Sequence, residues 1–207
     1  MVGLINDNHM EYILGETRFY FAQCVFNVKV HYSAHDRIAK ARSCKQWIAG
    51  AISVGTIVLL VFNIIAWECS CQTILSIVSF AGLVLTAASL SFEVFNRQDL
   101  TELMCCHKQA AQDYMSLRDQ FMDLIRQIKE GGNLEDVSKQ VQVCLRDYSK
   151  LGAYALPTTW KDYVSAQKKL GLYRNDEQFT WTSQQIDKFL PIELRENKNQ
   201  ERDEQGN

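Results

Sequence analysis

The sequence predicts an all-α membrane protein: a two-transmembrane helical hairpin with a long cytoplasmic helical extension and a helical return. Three observations carry this reading. The 207-residue chain holds 22 Lys and Arg and 24 Asp and Glu, yet Glu68 is the single charged residue between Gln46 and Phe92. On either side of that stretch, apolar residues recur at alternating spacings of three and four, the period of a helix face. Only two prolines occur in the whole chain, so long helices can run without a breaker. A net charge of −2 lacks the basic excess of a dedicated nucleic-acid binder, so no nucleic-acid partner is expected. Seven scattered cysteines do not form a compact secreted framework, and the odd number leaves at least one thiol free. Met1 to Leu14 carry neither a basic region nor an apolar core, so no cleavable signal peptide is expected.

Residues 1–45 read as an N-terminal cytoplasmic amphipathic helix. Phe21, Val25, Val28, Tyr32, His35 and Ala39 fall on one face. Arg18 to Tyr32 is rich in β-branched and aromatic residues, which also suits a strand, but a helix can feed straight into the apolar stretch that follows. Residues 46–93 read as the membrane hairpin, with spans at about 46–67 and 72–93 and an outer loop at 68–71. The uncharged runs Gln46 to Trp67 and Cys69 to Phe92 each reach the roughly 20 residues that cross a ~30 Å hydrocarbon core. Trp47 and Trp67 bracket the first where an interfacial aromatic belt sits. Arg37, Lys40, Arg42 and Lys45 precede the first span and Arg97 and Lys108 follow the second, whereas the loop has no Lys or Arg. The positive-inside rule then places both termini in the cytoplasm, makes the first span an uncleaved anchor, and leaves Cys69 and Cys71 on the outer side.

The second span carries Ser79, Gly82, Thr86, Ser89 and Glu93 at spacings of 3, 4, 3 and 4, one helix face. The first span has a comparable stripe of Ala49, Ser53, Thr56 and Asn63, interrupted by Leu60. Two roles fit. Small residues let membrane helices approach closely, and Ser, Thr and Asn hydrogen-bond between them. Alternatively, the stripe lines a water path with Glu93 as a charged ring at its cytoplasmic mouth, which requires several subunits.

The same register continues through Asn96, Leu100, Leu103, His107, Ala110, Tyr114, Leu117, Phe121, Leu124 and Ile128. Unbroken from Ser79, it predicts a helix on the order of 75 Å long that supercoils against a neighbour. His107 is the polar residue in that seam, a position that commonly fixes register or oligomeric state. Residues 94–171 read as a cytoplasmic helical hairpin or coiled coil. Gly131-Gly132 ends the first helix, and Asn133 caps the next with Glu135 and Asp136 in its first turn. Leu134, Val137, Val141, Cys144, Tyr148, Leu151 and Ala155 face back across the turn. Pro157 closes that helix, and Thr158 or Thr159 caps another that Gly171 terminates. Residues 172–207 read as a C-terminal segment with one short helix between Ser183 and Leu190, before Pro191, and a disordered tail from Arg195.

No phosphate loop, nucleophile elbow, paired Cys-x-x-Cys or His-Glu-x-x-His occurs, so no catalytic residue and no cofactor is predicted. His31 and His35 have a metal-compatible spacing beside Asp36 but no second ligand pair, so no metal site is predicted either. Cys105 and Cys106 read as helix-packing residues.

The basic stretch Asp36-Arg37-Ile38-Ala39-Lys40-Ala41-Arg42, the adjacent spans, and Leu151-Gly152-Ala153-Tyr154-Ala155-Leu156-Pro157 give the chain a resemblance to the SLATT family from about Phe19 to about Gly171. SLATT proteins are two-transmembrane effectors associated with SMODS nucleotidyltransferases and SLOG sensor domains. The resemblance implies a non-enzymatic effector of a bacterial anti-phage conflict system, residing in the inner membrane. Such an effector would form a homo-oligomer and perforate or depolarise that membrane when a separately encoded nucleotide synthase or sensor signals. The alternative is a non-conducting two-span anchor or scaffold that recruits a soluble partner through its cytoplasmic helices.

Overall fold

The structure, a computed structural model, describes residues 2–68, 72–95, 100–172 and 181–196, with the backbone alone for residues 2–8, 66 and 93–95. The chain is an all-α membrane protein. Its helices are α1 (Val2–Glu68), α2 (Gln72–Phe95), α3 (Leu100–Lys129), α4 (Leu134–Tyr154), α5 (Trp160–Lys169) and α6 (Ser183–Asp187), followed by a 3₁₀ turn, Ile192–Leu194. No strand occurs among the described residues, so the aromatic and β-branched stretch Arg18 to Tyr32 is helical throughout. The helices divide into two compact units. One comprises residues 1–35 and 105–207, the other 36–104, and α1 contributes to both.

In the first unit, the seam predicted on α3 is the buried face. His107, Ala110, Tyr114, Leu117, Phe121, Leu124 and Ile128 are all buried, joined by Ala111 and Ile125. The facing stripe of α4 buries Val137, Val141 and Cys144 in the same core, and Leu134, Tyr148 and Leu151 pack against it. Against α3 and α4 lies the N-terminal part of α1, contributing Ile13, Phe21, Ala22, Cys24, Val25 and Val28. Tyr20 stacks on Phe121 and meets Tyr148 edge-on, at centroid distances of 6.0 and 5.2 Å. Another face of α1 carries Phe26 and Val30, which pack with Ala166 of α5 and with Leu172. This segment of α1 is therefore buried on far more than the single face read from Phe21, Val25 and Val28.

Local chemistry sets the helix boundaries. The α3 helix ends at Gly131, whose φ of 80° is the left-handed conformation that glycine tolerates. The Gly132 amide then donates back to the Gln127 carbonyl at 2.9 Å, closing the last turn, and a Cβ at Gly132 would collide with that oxygen. The Asn133 side chain accepts from the Glu135 amide at 3.0 Å and caps α4. Thr159 precedes α5 and donates its amide and hydroxyl to Asp162 at 2.9 and 2.7 Å. Thr182 and Gln185 exchange bonds across the first turn of α6. Arg195 and Glu196 still belong to the ordered fold, as Arg195 donates to the Leu190 carbonyl; the remainder of the tail lies outside the described residues.

In the second unit, the later part of α1 and α2 form an antiparallel pair. Stretches running to Ile65 in α1 and from Gln72 to Phe92 in α2 are long and apolar enough to cross a membrane, and neither is buried within the protein. Val54, Ile57, Leu60, Ile64, Ile77, Phe80 and Leu83 are all more than half exposed, as lipid-facing residues are. The outer-loop cysteines, Cys69 and Cys71, and the junction 96–99 that the predicted continuous helix would cross lie outside the described residues.

Phe121, fully buried where α1, α3 and α4 meet, anchors the first unit. Phe121→Ala is expected to cost about 3–5 kcal/mol. Asn133→Ala, which removes only a cap, is expected to cost ~1 kcal/mol. Denaturant titration of the full chain in detergent, followed by tryptophan fluorescence, measures both.

Candidate functional site

Polar groups inside hydrocarbon must find partners within the protein. The hairpin meets this requirement in two ways. Ser53, Thr56 and Thr86 donate their hydroxyls to the carbonyls of Ala49, Ile52 and Gly82 in their own helices, at 3.0, 2.9 and 2.8 Å. These bonds hide the hydroxyls without tying one helix to the other. Asn63 and Ser79 instead meet across the hairpin. The Asn63 amide donates to Ser79 Oγ and Ser79 Oγ donates to Asn63 Oδ1, both at 3.2 Å. Among the described residues, the two predicted stripes thus meet in a polar contact at Asn63 and Ser79, and it lies within the hairpin.

The rest of the stripe divides by position. Ser89 and Gly82 are half-buried, whereas Thr86 is exposed. The close approach between the two helices is at Gly55, where a Cβ would sit 3.3 Å from Leu85 Cδ2. A Cβ at Gly82 would meet nothing within 4 Å. Glu93 lies on α2, and its side chain is outside the described residues.

The first unit contains a different set of polar residues. His107 is 3% exposed and its Nδ1 stands 3.1 Å from Nδ1 of His31, which is 5% exposed. One ring nitrogen donates and the other accepts, so the contact as it stands accommodates at most one additional proton. Tyr114 stacks on His31 at 5.6 Å. Burial, reinforced by His107 and opposed by Asp162, pulls the His31 pKa from the usual 6.5 down to about 4. His35, the other member of the sequence pair, is only half-buried. No group of three or more His, Cys, Asp or Glu among the described residues is arranged to hold a metal ion.

A second buried polar contact lies nearer the chain terminus. Arg18, 2% exposed, forms ion pairs with Asp187 at 2.8 Å and Glu196 at 3.2 Å. The Glu196 amide also donates to both Asp187 oxygens at 3.2 Å. Lys129 Nζ donates to the carbonyls of Leu194 and Arg195 at 2.8 and 2.9 Å. Together these bonds fasten the C-terminal segment to α1 and α3. The buried thiols are inert by contrast. Burial pushes the Cys24 thiol up to about 12, the adjacent Cys144 adding to the shift, so it stays protonated and non-nucleophilic.

Sequence reasoning identified His107 but not its partner, and it passed over Arg18 and Asp187. The partners are separated by 76 and 169 residues, and pairing at that range leaves no local pattern. The one available signal was a charged residue, Arg18, three positions before Phe21 on a strongly apolar segment.

Residues 13–185 match the model of SMODS and SLOG-associating 2TM effector domain family 4. The stretches Asp36 to Arg42 and Leu151 to Pro157 and both spans fall inside the match. No curated protein and no solved structure matches the chain.

An unfolded histidine takes up its proton near pH 6.5, but folded His31 does so only near 4. Between those values the unfolded chain binds more protons, so the histidine's contribution to stability is complete above about pH 6.5 and declines as the pH falls toward 4. Thermal midpoints of the full chain in detergent at pH 7.5 and 5.0 are expected to differ more for the native protein than for His31→Gln, whose amide hydrogen-bonds without titrating.

Proposed function

Because the chain belongs to the SMODS and SLOG-associating 2TM effector domain family, we propose that it is a membrane effector of a bacterial conflict system, one that assembles from several copies and lets ions cross the inner membrane. In this reading both termini and the first unit are cytoplasmic. The signal comes from a separately encoded nucleotide synthase or sensor, consistent with the association that the family name records.

The observation that carries this reading is how the hairpin uses its polar and small residues. Asn63 and Ser79 are spent on each other, and Gly55 takes the close approach of the two helices. Gly82 has open space beside it and Thr86 is exposed. Close contact between copies needs a bare backbone such as Gly82 offers. A water path needs exposed polar side chains such as Thr86 on the same face, and one hairpin cannot enclose such a path. Hydroxyls bonded to their own helix at rest can turn to water at little cost when copies assemble. No catalytic step enters this account, and the effector acts physically on the bilayer.

The mutual engagement of Asn63 and Ser79 equally suits a non-conducting two-span scaffold, in which the stripe does nothing but hold helices together. Dye and ion leakage from liposomes loaded with the purified full chain separates the two. Thr86→Leu combined with Ser89→Leu is expected to abolish leakage while cross-linking shows assembly unchanged. Leakage that persists in the double variant removes the stripe as the pore wall.

A further inference from the structure

We propose that Arg42 and Lys45, on the stretch of α1 that leads into the first span, bind the phosphate of an anionic phospholipid. The α1 helix is unbroken there, so residues three apart are surface neighbours, with Cβ atoms about 5–6 Å apart. Arg42 and Lys45 have that spacing, and two like charges so placed repel each other. An anion held between them replaces the repulsion with two attractions. Among the described residues, none forms an ion pair or a hydrogen bond with either side chain, and the nearby carboxylates of Asp36 and Glu102 engage other groups. The pair therefore keeps its charge for a ligand outside the protein. Lys40 is exposed on the same stretch but lies about 140–160° around the axis from both, so it is outside the site.

Depth in the bilayer selects the ligand. Lys45 adjoins Gln46, where the uncharged run begins, and Arg42 lies four residues before it, about 6 Å along the axis. The headgroup layer beside a hydrocarbon core is about 5–8 Å deep, so both charges stand at the level of lipid phosphates. Trp47, two residues beyond Lys45 and 78% exposed, marks the same boundary. The pair and both spans belong to one compact unit. A guanidinium grips two phosphate oxygens in parallel, and an ammonium adds a point charge. A zwitterionic lipid brings its own cation to the phosphate and competes with the pair, so a headgroup of net negative charge is preferred. The site requires only that the chain span a bilayer, and it stands whether or not the spans conduct ions.

The test measures lipid binding to the full chain, purified in a neutral detergent and stripped of lipid, by native mass spectrometry. Dioleoylphosphatidylglycerol and dioleoylphosphatidylcholine share their acyl chains and phosphodiester and differ in the net charge of the headgroup. One cation beside an anionic surface contributes about fivefold to association, so the first phosphatidylglycerol is expected to bind about tenfold or more tighter than the first phosphatidylcholine. Arg42→Gln with Lys45→Gln is expected to bring the two lipids within about twofold of each other. Arg42→Lys with Lys45→Arg is expected to retain the preference, and so is Lys40→Gln, which removes a charge from another side of the helix. Variants are compared at equal helical content by circular dichroism. Equal binding of the two lipids by the native chain overturns the proposal. So does a preference that survives Arg42→Gln with Lys45→Gln, or one that Lys40→Gln alone abolishes.

Discussion

The N-terminal part of α1 is the constraint on which the first unit depends, because it is buried on more than one side. Phe21, Val25 and Val28 face α3 and α4, while Phe26 and Val30 face α5 and Leu172. A helix buried so broadly cannot leave polar groups unpaired without a penalty of about 1–3 kcal/mol for each, and more for a charge. Arg18 and His31 lie on this helix, so the fold must supply partners for them. It supplies Asp187 and Glu196 to the first and His107 to the second. The C-terminal segment thereby becomes part of the core rather than an appendage. An ion pair this deeply buried adds little net stability, but removing either partner strands a charge, so it fixes which segment packs where.

The second unit solves the opposite problem. Its helices are enclosed very little by the protein and must present apolar side chains outward, so hydroxyls are satisfied within each helix, and the reciprocal bonding of Asn63 and Ser79 ties the two together. Without water to exclude between lipid-facing surfaces, such a bond and the close approach at Gly55 carry association that apolar contact alone would not. One device, the self-satisfied hydroxyl, serves both a resting helix in lipid and, on the proposed function, a wall that meets water after assembly.

Much of this was legible in the sequence because it is local and periodic. The charge gap around Glu68 gave both spans, the three-and-four spacing gave the α3 face from His107 to Ile128, and Gly131, Gly132 and Asn133 gave the turn into α4. Thr159 and Gly171 bounded α5 for the same reason: caps act within one turn. The breadth of burial on α1 was not legible, since its second face is defined by Ala166 and Leu172, distant in sequence. The pairings of Arg18 and His31 were invisible for that reason too. Ser79 and Asn63 occupied a middle ground: each was found on a stripe, but periodicity assigns a face and does not show which residues of two faces stand opposite. Gly82 shows this directly, because the stripe marked it as a close-approach residue and the close approach within the hairpin occurs at Gly55.

Electrical recording tests the central claim most directly. The purified full chain is inserted into planar bilayers at rising density, with cross-linking in parallel to mark where it assembles. Assembly into a conducting effector predicts discrete current steps whose frequency rises more steeply than protein density. Bilayers that stay silent at densities where cross-linking shows multimers would contradict it.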